Sequence, residues 1–163
     1  MKKFFLILLV LVTLCSCANN KKQETSSEEK YKYLVETLTN YSGFSSGSSY
    51  YDINADMSKI EDGYRYYVTL DNPRLSMYEV SILAIEKDSD YKNTMAASSG
   101  IFDSRCSLIP NQSKVEEGFV KGIVISGTTS VPDATLLVYV NFYNRDYSKE
   151  YTEYIQMEIS YGE

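Results

Sequence analysis

Polar and apolar positions recur with different periods along the chain, and each period predicts a different element. Phe4 to Leu14 (FFLILLVLVTL) is an unbroken apolar run, whereas Ala18 to Ser27 contains no large apolar residue and predicts a solvated tether. Ser26-x-x-Glu29 then has the spacing of a capping box, and Tyr31, Leu34, Val35 and Leu38 follow at helical spacing, with Glu28 and Lys32 paired four apart elsewhere. The spacing predicts a short amphipathic helix over 28–40. A helix of that length is marginal alone, so its apolar stripe needs a surface to cover, on this domain or on a partner. The glycine- and serine-rich stretch at 42–49 breaks the pattern.

From Tyr50 onward the period is two. Tyr51, Ile53, Ala55 and Met57 alternate with polar residues, and Asp62-Gly63 signals a tight turn. Tyr64, Tyr66, Val68 and Leu70 alternate next, up to Asn72-Pro73. Tyr78, Val80, Ile82 and Ala84 follow, with Leu83 and Ile85 adding apolar surface on the opposite side. Ile101-Phe102, Phe119 to Ile125, Thr135 to Phe142 and Tyr151 to Ile159 complete the series, the last pair joined by a hairpin at Asn144-Arg145-Asp146. Six or seven short strands with turns between them predict a sandwich or barrel, and no helical period between strands points to a parallel βαβ sheet.

The N-terminal run has eleven residues and would make a helix of about 16 Å, short of the ~30 Å hydrocarbon core, so it predicts a signal-peptide segment rather than a membrane span. Lys2 and Lys3 precede it, and Leu14-Cys15-Ser16-Cys17 follows. That tetrapeptide resembles the lipobox of bacterial lipoproteins, with an aliphatic residue three before the cysteine and a small one immediately before it. The resemblance implies cleavage before Cys17, a diacylglycerol on its sulfur, and an extracytoplasmic domain held to the membrane by lipid. Two acyl chains meet the physical requirement for stable anchoring.

Leu108-Ile109-Pro110-Asn111, Gly118 to Ile125, Val131-Pro132-Asp133 and the run Ala134 to Tyr139 together resemble the immunoglobulin-like domain of many surface lipoproteins of Gram-positive bacteria. Asn111 stands where that family has glycine. The resemblance implies an all-β, immunoglobulin-like antiparallel β-sandwich of six to seven strands, preceded by the short amphipathic helix. The expected organisation is a signal peptide at 1–16, a lipidated cysteine and tether at 17–27, the helix at 28–40, a linker at 41–49 and the β-domain at 50–163. This architecture hosts many unrelated roles and does not fix a function.

Composition narrows the chemistry. The formal charge is −6, and loss of Lys2 and Lys3 with the leader would leave −8. Such a surface repels phosphate backbones, so no nucleic-acid partner is expected. The chain contains no histidine, which removes Ser-His-Asp and Cys-His nucleophiles and every His-ligated zinc site. Asp88-Ser-Asp90 lacks the continuation of a calcium loop, and Glu61-Asp62 and Glu116-Glu117 are neighbours rather than facing pairs. No catalytic residue, metal site or cofactor is expected, and Cys106 is expected to be a buried structural thiol. The densest aromatic patch is Tyr64 to Tyr67; on a strand, Arg65 and Tyr67 share one face, a candidate surface for a peptide or a sugar ring. The expected function is a non-enzymatic binding or structural module. The alternative is an accessory subunit or inhibitor docking on another cell-envelope protein.

Overall fold

Two central strands, apolar on both sides, organise the computed structural model, which describes residues 26–91, 95–112, 114 and 117–162. The leader, Cys15, Cys17 and most of the tether lie outside the described residues, as does Glu116. The elements are helix α1 (Ser27–Asn40) and strands β1 (Asp52–Ile60), β2 (Gly63–Asp71), β3 (Met77–Glu86), β4 (Ala97–Ser99), β5 (Cys106–Leu108), β6 (Phe119–Val120), β7 (Gly122–Thr129), β8 (Asp133–Tyr143) and β9 (Glu150–Ser160). One sheet has three strands in the order β1-β2-β7; the other has six, in the order β6-β5-β3-β8-β9 with β4 also on β3. The protein is mostly β. The chain crosses between the sheets three times, from β2 to β3, from β6 to β7 and from β7 to β8.

The sheets face each other across one core. Tyr66, Val68, Leu70, Ile123 and Ile125 from the smaller sheet meet Met77, Val80, Ile82, Ala84, Leu136, Val138, Val140 and Phe142 from the larger. The alternate residues of β3 and β8, Leu83, Ile85, Leu137 and Tyr139, point the other way and are buried as well. Helix α1 supplies their cover: Tyr31, Leu34 and Leu38 pack on them, with Val35 at the margin. The helix therefore docks on its own domain.

Its start is fixed chemically. Ser26 is the N-cap; its Oγ accepts from the Glu29 N–H at 3.2 Å while the Glu29 carboxylate accepts from the Ser26 N–H at 3.0 Å. Lys32 Nζ lies 2.6 Å from Glu28 Oε1 on the exposed side. Beyond the helix, Ser45 adds a single parallel bridge beside Ile155, its N–H donating to the Tyr154 carbonyl at 3.0 Å. That bridge blunts the outer edge of β9, where an unpaired strand would invite association.

The structure corrects several expectations. There are nine strands among the described residues rather than six or seven, and β5 pairs with β6 in parallel, so the arrangement is not wholly antiparallel. Ile101-Phe102 is a bend. Gly100 turns the chain there at φ +73°, where a Cβ would meet the Val80 carbonyl oxygen at 2.3 Å, and Asp103 accepts from the Gly100 N–H at 2.6 Å. Ile101 is then buried beside the helix, and Phe102 lies against Tyr31. The run Phe119 to Ile125 is not one strand: it breaks at Lys121, with β6 serving the larger sheet and β7 the smaller.

A further correction concerns which side a residue faces. The period-2 pattern puts Tyr78 on the face of Val80 and Ile82, but β3 carries one extra residue between Tyr78 and Ser81 relative to both neighbours. Glu79 sits in this bulge with φ +53°. The bulge sends Met77 into the core and turns Tyr78 to the opposite face, in register with Tyr143.

Removing part of the helix stripe measures how far the domain depends on it. Leu38 is fully buried, so Leu38→Ala should cost about 2–5 kcal/mol in urea unfolding. A cost below ~0.5 kcal/mol, the range of ordinary surface substitutions, would mean that the helix is not part of the cooperative unit.

Candidate functional site

Arg65 and Tyr67 lie on the outward face of the three-stranded sheet. Arg65 sits between Ser58 and Thr128, and Tyr67 between Asp56 and Ser126. Arg65 is exposed and makes no ion pair among the described residues; Tyr67 is half-buried. Tyr66, expected on the opposite face, is buried in the core with its ring over Gly127, where a Cβ would meet the Tyr66 hydroxyl at 2.3 Å. The Arg65–Tyr67 face is open, and Val124 stands exposed on it across from Thr69.

A denser aromatic cluster lies elsewhere, on the face of the larger sheet that the helix covers only in part. Tyr78 at the start of β3 and Tyr143 at the end of β8 are cross-strand partners. Tyr147, in the β8–β9 hairpin, brings its ring centroid to 5.9 Å from that of Tyr78 and 5.8 Å from that of Tyr143. Phe119 on β6 lies 6.5 Å from Tyr78, edge-on. Tyr147 remains 55% exposed.

The hairpin is held by its own side chains. The Tyr147 N–H donates to the Asn144 carbonyl at 3.1 Å, and the Lys149 N–H donates to Asn144 Oδ1 at 3.0 Å. Asp146 Oδ1 accepts from the Ser148 N–H at 3.2 Å and its hydroxyl at 2.8 Å. Tyr147 consequently sits at φ +57°, a left-handed conformation unusual for an aromatic residue. Sequence reasoning missed this cluster because its members come from four separate elements. The available signal was a tyrosine at a strand start, one at a strand end, and one in the turn that follows.

Charged groups border the rings. Arg105 Nη1 lies 3.8 Å from Glu79 Oε2, and Asn141 Nδ2 donates to Glu150 Oε1 at 2.8 Å, to the Tyr151 carbonyl at 3.1 Å and to Thr152 Oγ1 at 3.1 Å. Lys30 on the helix lies within electrostatic reach of this group. Burial holds its ammonium below the ordinary lysine range, Arg105 adding to the effect and Glu150 opposing it. Burial raises the Tyr143 hydroxyl, and Glu150 and Glu79 raise it further, so that hydroxyl stays protonated and able to donate at neutral pH. At the same end of the domain, an open cleft of ≈ 660 Å³ is lined by Asn72, Pro73, Ile109, Asn111, Gln112 and Lys121, among others.

Other candidates do not assemble. No group of carboxylates and cysteines able to hold a metal occurs among the described residues. Glu117 is paired with Lys114 at 3.4 Å. Cys106 is half-buried rather than buried; it packs against the core from β5, and burial pushes its thiol up, away from reactivity. Among the described residues no helix is long and apolar enough to cross a membrane.

No protein family matches the sequence, and no curated protein does. A solved structure described as Northeast Structural Genomics Consortium target SoR45 is similar over 69% of this chain and 86% of that one, with 11% sequence identity and a TM-score of 0.37, too distant to carry anything across.

The ionisable groups predict a flat stability profile around neutrality. Burial raises Tyr51, Tyr66 and Tyr139 well above the ordinary phenol range. Stability from such groups is intact below the unfolded phenol value and falls as pH rises beyond about 10. Lys30, held low, works in the opposite sense, alone against these phenols. On the acid side, hydrogen bonds from Asn72 and Arg74 lower Asp52, and Ser148 lowers Asp146, so their stabilisation is lost as pH falls through about 4 and below. With no histidine in the chain, the urea midpoint should stay constant between pH ~5 and ~9. A transition near pH ~6–7, where histidine titrates, would contradict this reading.

Proposed function

We propose that this chain is a lipoprotein held outside the cytoplasmic membrane through Cys17, and that its immunoglobulin-like domain is a non-enzymatic binding module. Two observations support the fold reading. The strand order β1-β2-β7 against β6-β5-β3-β8-β9, with crossings from β2 to β3, from β6 to β7 and from β7 to β8, corresponds to the A-B-E and C-F-G connectivity of immunoglobulin-like sandwiches. The extra strands β4, β5 and β6 occupy the region between the third and fifth strands of that scheme.

The observation that carries the functional reading is the half-exposed cluster of Tyr78, Phe119, Tyr143 and Tyr147. It lies where the β2–β3 and β8–β9 connections meet, the end at which such sandwiches present recognition loops. Tyrosine is suited to this position because it gives large contact area with few rotatable bonds and a polar tip. A catalytic role is disfavoured by the absence of histidine from the sequence.

A docking role on another envelope protein is the second reading, favoured by one observation. The face bearing Arg65, Tyr67 and exposed Val124 is the outward side of three paired strands, which suits a protein surface better than a small ligand. The helix stripe does not serve it, being occupied by Leu83, Ile85, Leu137 and Tyr139.

The anchoring part is tested by fractionation. Cys17→Ser should move the protein out of the mature membrane-bound pool and leave it uncleaved. A mutant that is processed and sediments with membranes as wild type does would refute the anchor.

A further inference from the structure

Resting on the binding-module reading, we propose that the Tyr78–Tyr143–Tyr147 cluster with its charged border is a glycan site, taking the pyranose rings of an uncharged oligosaccharide. Three features of the patch converge on that ligand class.

The first is the pairing of rings with polar groups. A pyranose presents one face of C–H groups, which stacks on the electron-rich face of an aromatic ring, and a rim of hydroxyls that both donate and accept. Tyr147, more than half exposed, offers the ring; Tyr78 and Tyr143 flank it at 5.9 and 5.8 Å. Glu79, paired with Arg105, and Glu150, which accepts from Asn141, have carboxylate oxygens with room for further donors, and Arg105 and Lys30 can donate.

The second is charge balance. Arg105 and Lys30 stand beside Glu79 and Glu150, and Arg145 and Lys149 beside Asp146 in the hairpin, so both signs border the patch on a chain that is otherwise acidic. An anionic polymer would be repelled by the molecule as a whole, and a cationic one would meet Arg105 and Lys30; an uncharged sugar meets neither penalty. A peptide added as a strand is also disfavoured. The strands β3 and β8 that carry Tyr78 and Tyr143 are both paired on each side within the sheet, so a peptide strand could not pair beside these rings.

The third is the backbone. Glu79 and Tyr147 hold left-handed conformations that are unfavourable for a residue with a side chain. Each has a consequence at the same place: the Glu79 bulge turns Tyr78 out of the core and onto this face, and the Tyr147 conformation lays that ring over Tyr78 and Tyr143. Strain at two separate positions thus assembles one aromatic surface. The cleft beside Asn72, Asn111 and Gln112 gives amide-lined room for further sugar units at the same end.

The test uses the full lipoprotein in detergent micelles on an array of oligosaccharides of glucose, N-acetylglucosamine, galactose and mannose, followed by calorimetric titration of any hit. Saturable binding is expected. Tyr147→Ala should weaken it at least tenfold, Tyr147→Phe should change it less than threefold, and Lys59→Ala, exposed on the other sheet, should leave it unchanged, all with wild-type melting temperatures. Failure of every arrayed sugar to bind, or binding indifferent to Tyr147→Ala, overturns the proposal. Photo-crosslinking from position 147 in intact cells separates the two levels: a captured protein overturns the glycan while keeping the binding module, and no adduct together with no sugar binding overturns both.

Discussion

The pairing of β3 with β8, buried on both faces, is the interaction on which the rest of the structure depends. Its inward residues, Ile82 and Ala84 with Leu136, Val138 and Val140, form the floor of the core shared with the smaller sheet. Its outward residues, Leu83, Ile85, Leu137 and Tyr139, would expose a broad apolar surface without α1. A sheet wetted on one side shows clean alternation; one covered on both sides must be apolar at consecutive positions. The run Val80 to Ile85 meets that requirement with one polar member, Ser81, whose hydroxyl donates to the Gly100 carbonyl at 2.9 Å. Asn141, in register with Ser81, is satisfied by three acceptors on β9. Buried polar groups so placed fix register, since a slip of one residue would leave both without partners.

The aromatic surface is a by-product of how that pair ends. At its open end the apolar requirement lapses, the Glu79 bulge reverses the side-chain alternation, and Tyr78 joins Tyr143 on the outer face. The hairpin that follows β8 then brings Tyr147 back over both. The site therefore has rigid strands beneath it and a turn held by Asn144, Asp146 and Ser148 above it, an arrangement that limits the ordering cost of binding.

Much of this was legible in residues. The capping box at Ser26 and Glu29, the stripe Tyr31-Leu34-Leu38, and the second apolar set at Leu83 and Ile85 carry direct physical signals, and together they foreshadow a helix lying on a sheet. Other features left no such trace. A bulge at Glu79 is silent because Tyr78, Val80, Ile82 and Ala84 alternate perfectly without it, yet the structure puts Met77 in the core and Tyr78 in register with Tyr143. The run from Phe119 to Ile125 is continuous in sequence but serves two sheets, a division that only long-range pairing reveals. Ile101 and Phe102 are apolar because they meet the helix, not because they pair. Within the candidate surfaces, Arg65 and Tyr67 draw attention because they are dense along the chain, whereas Tyr78, Tyr143 and Tyr147 are dense only in space.

Native-state hydrogen exchange of the full chain tests most directly whether α1 and the β3–β8 pair form one cooperative layer. The amides of Leu83, Ile85, Val138 and Val140 report on the strand pair, and those of Leu34 and Leu38 on the helix. All of them should exchange only through global unfolding, with the same free energy and the same dependence on denaturant. Helix amides that exchange through small local openings, while Leu83 and Val138 stay protected, would contradict it.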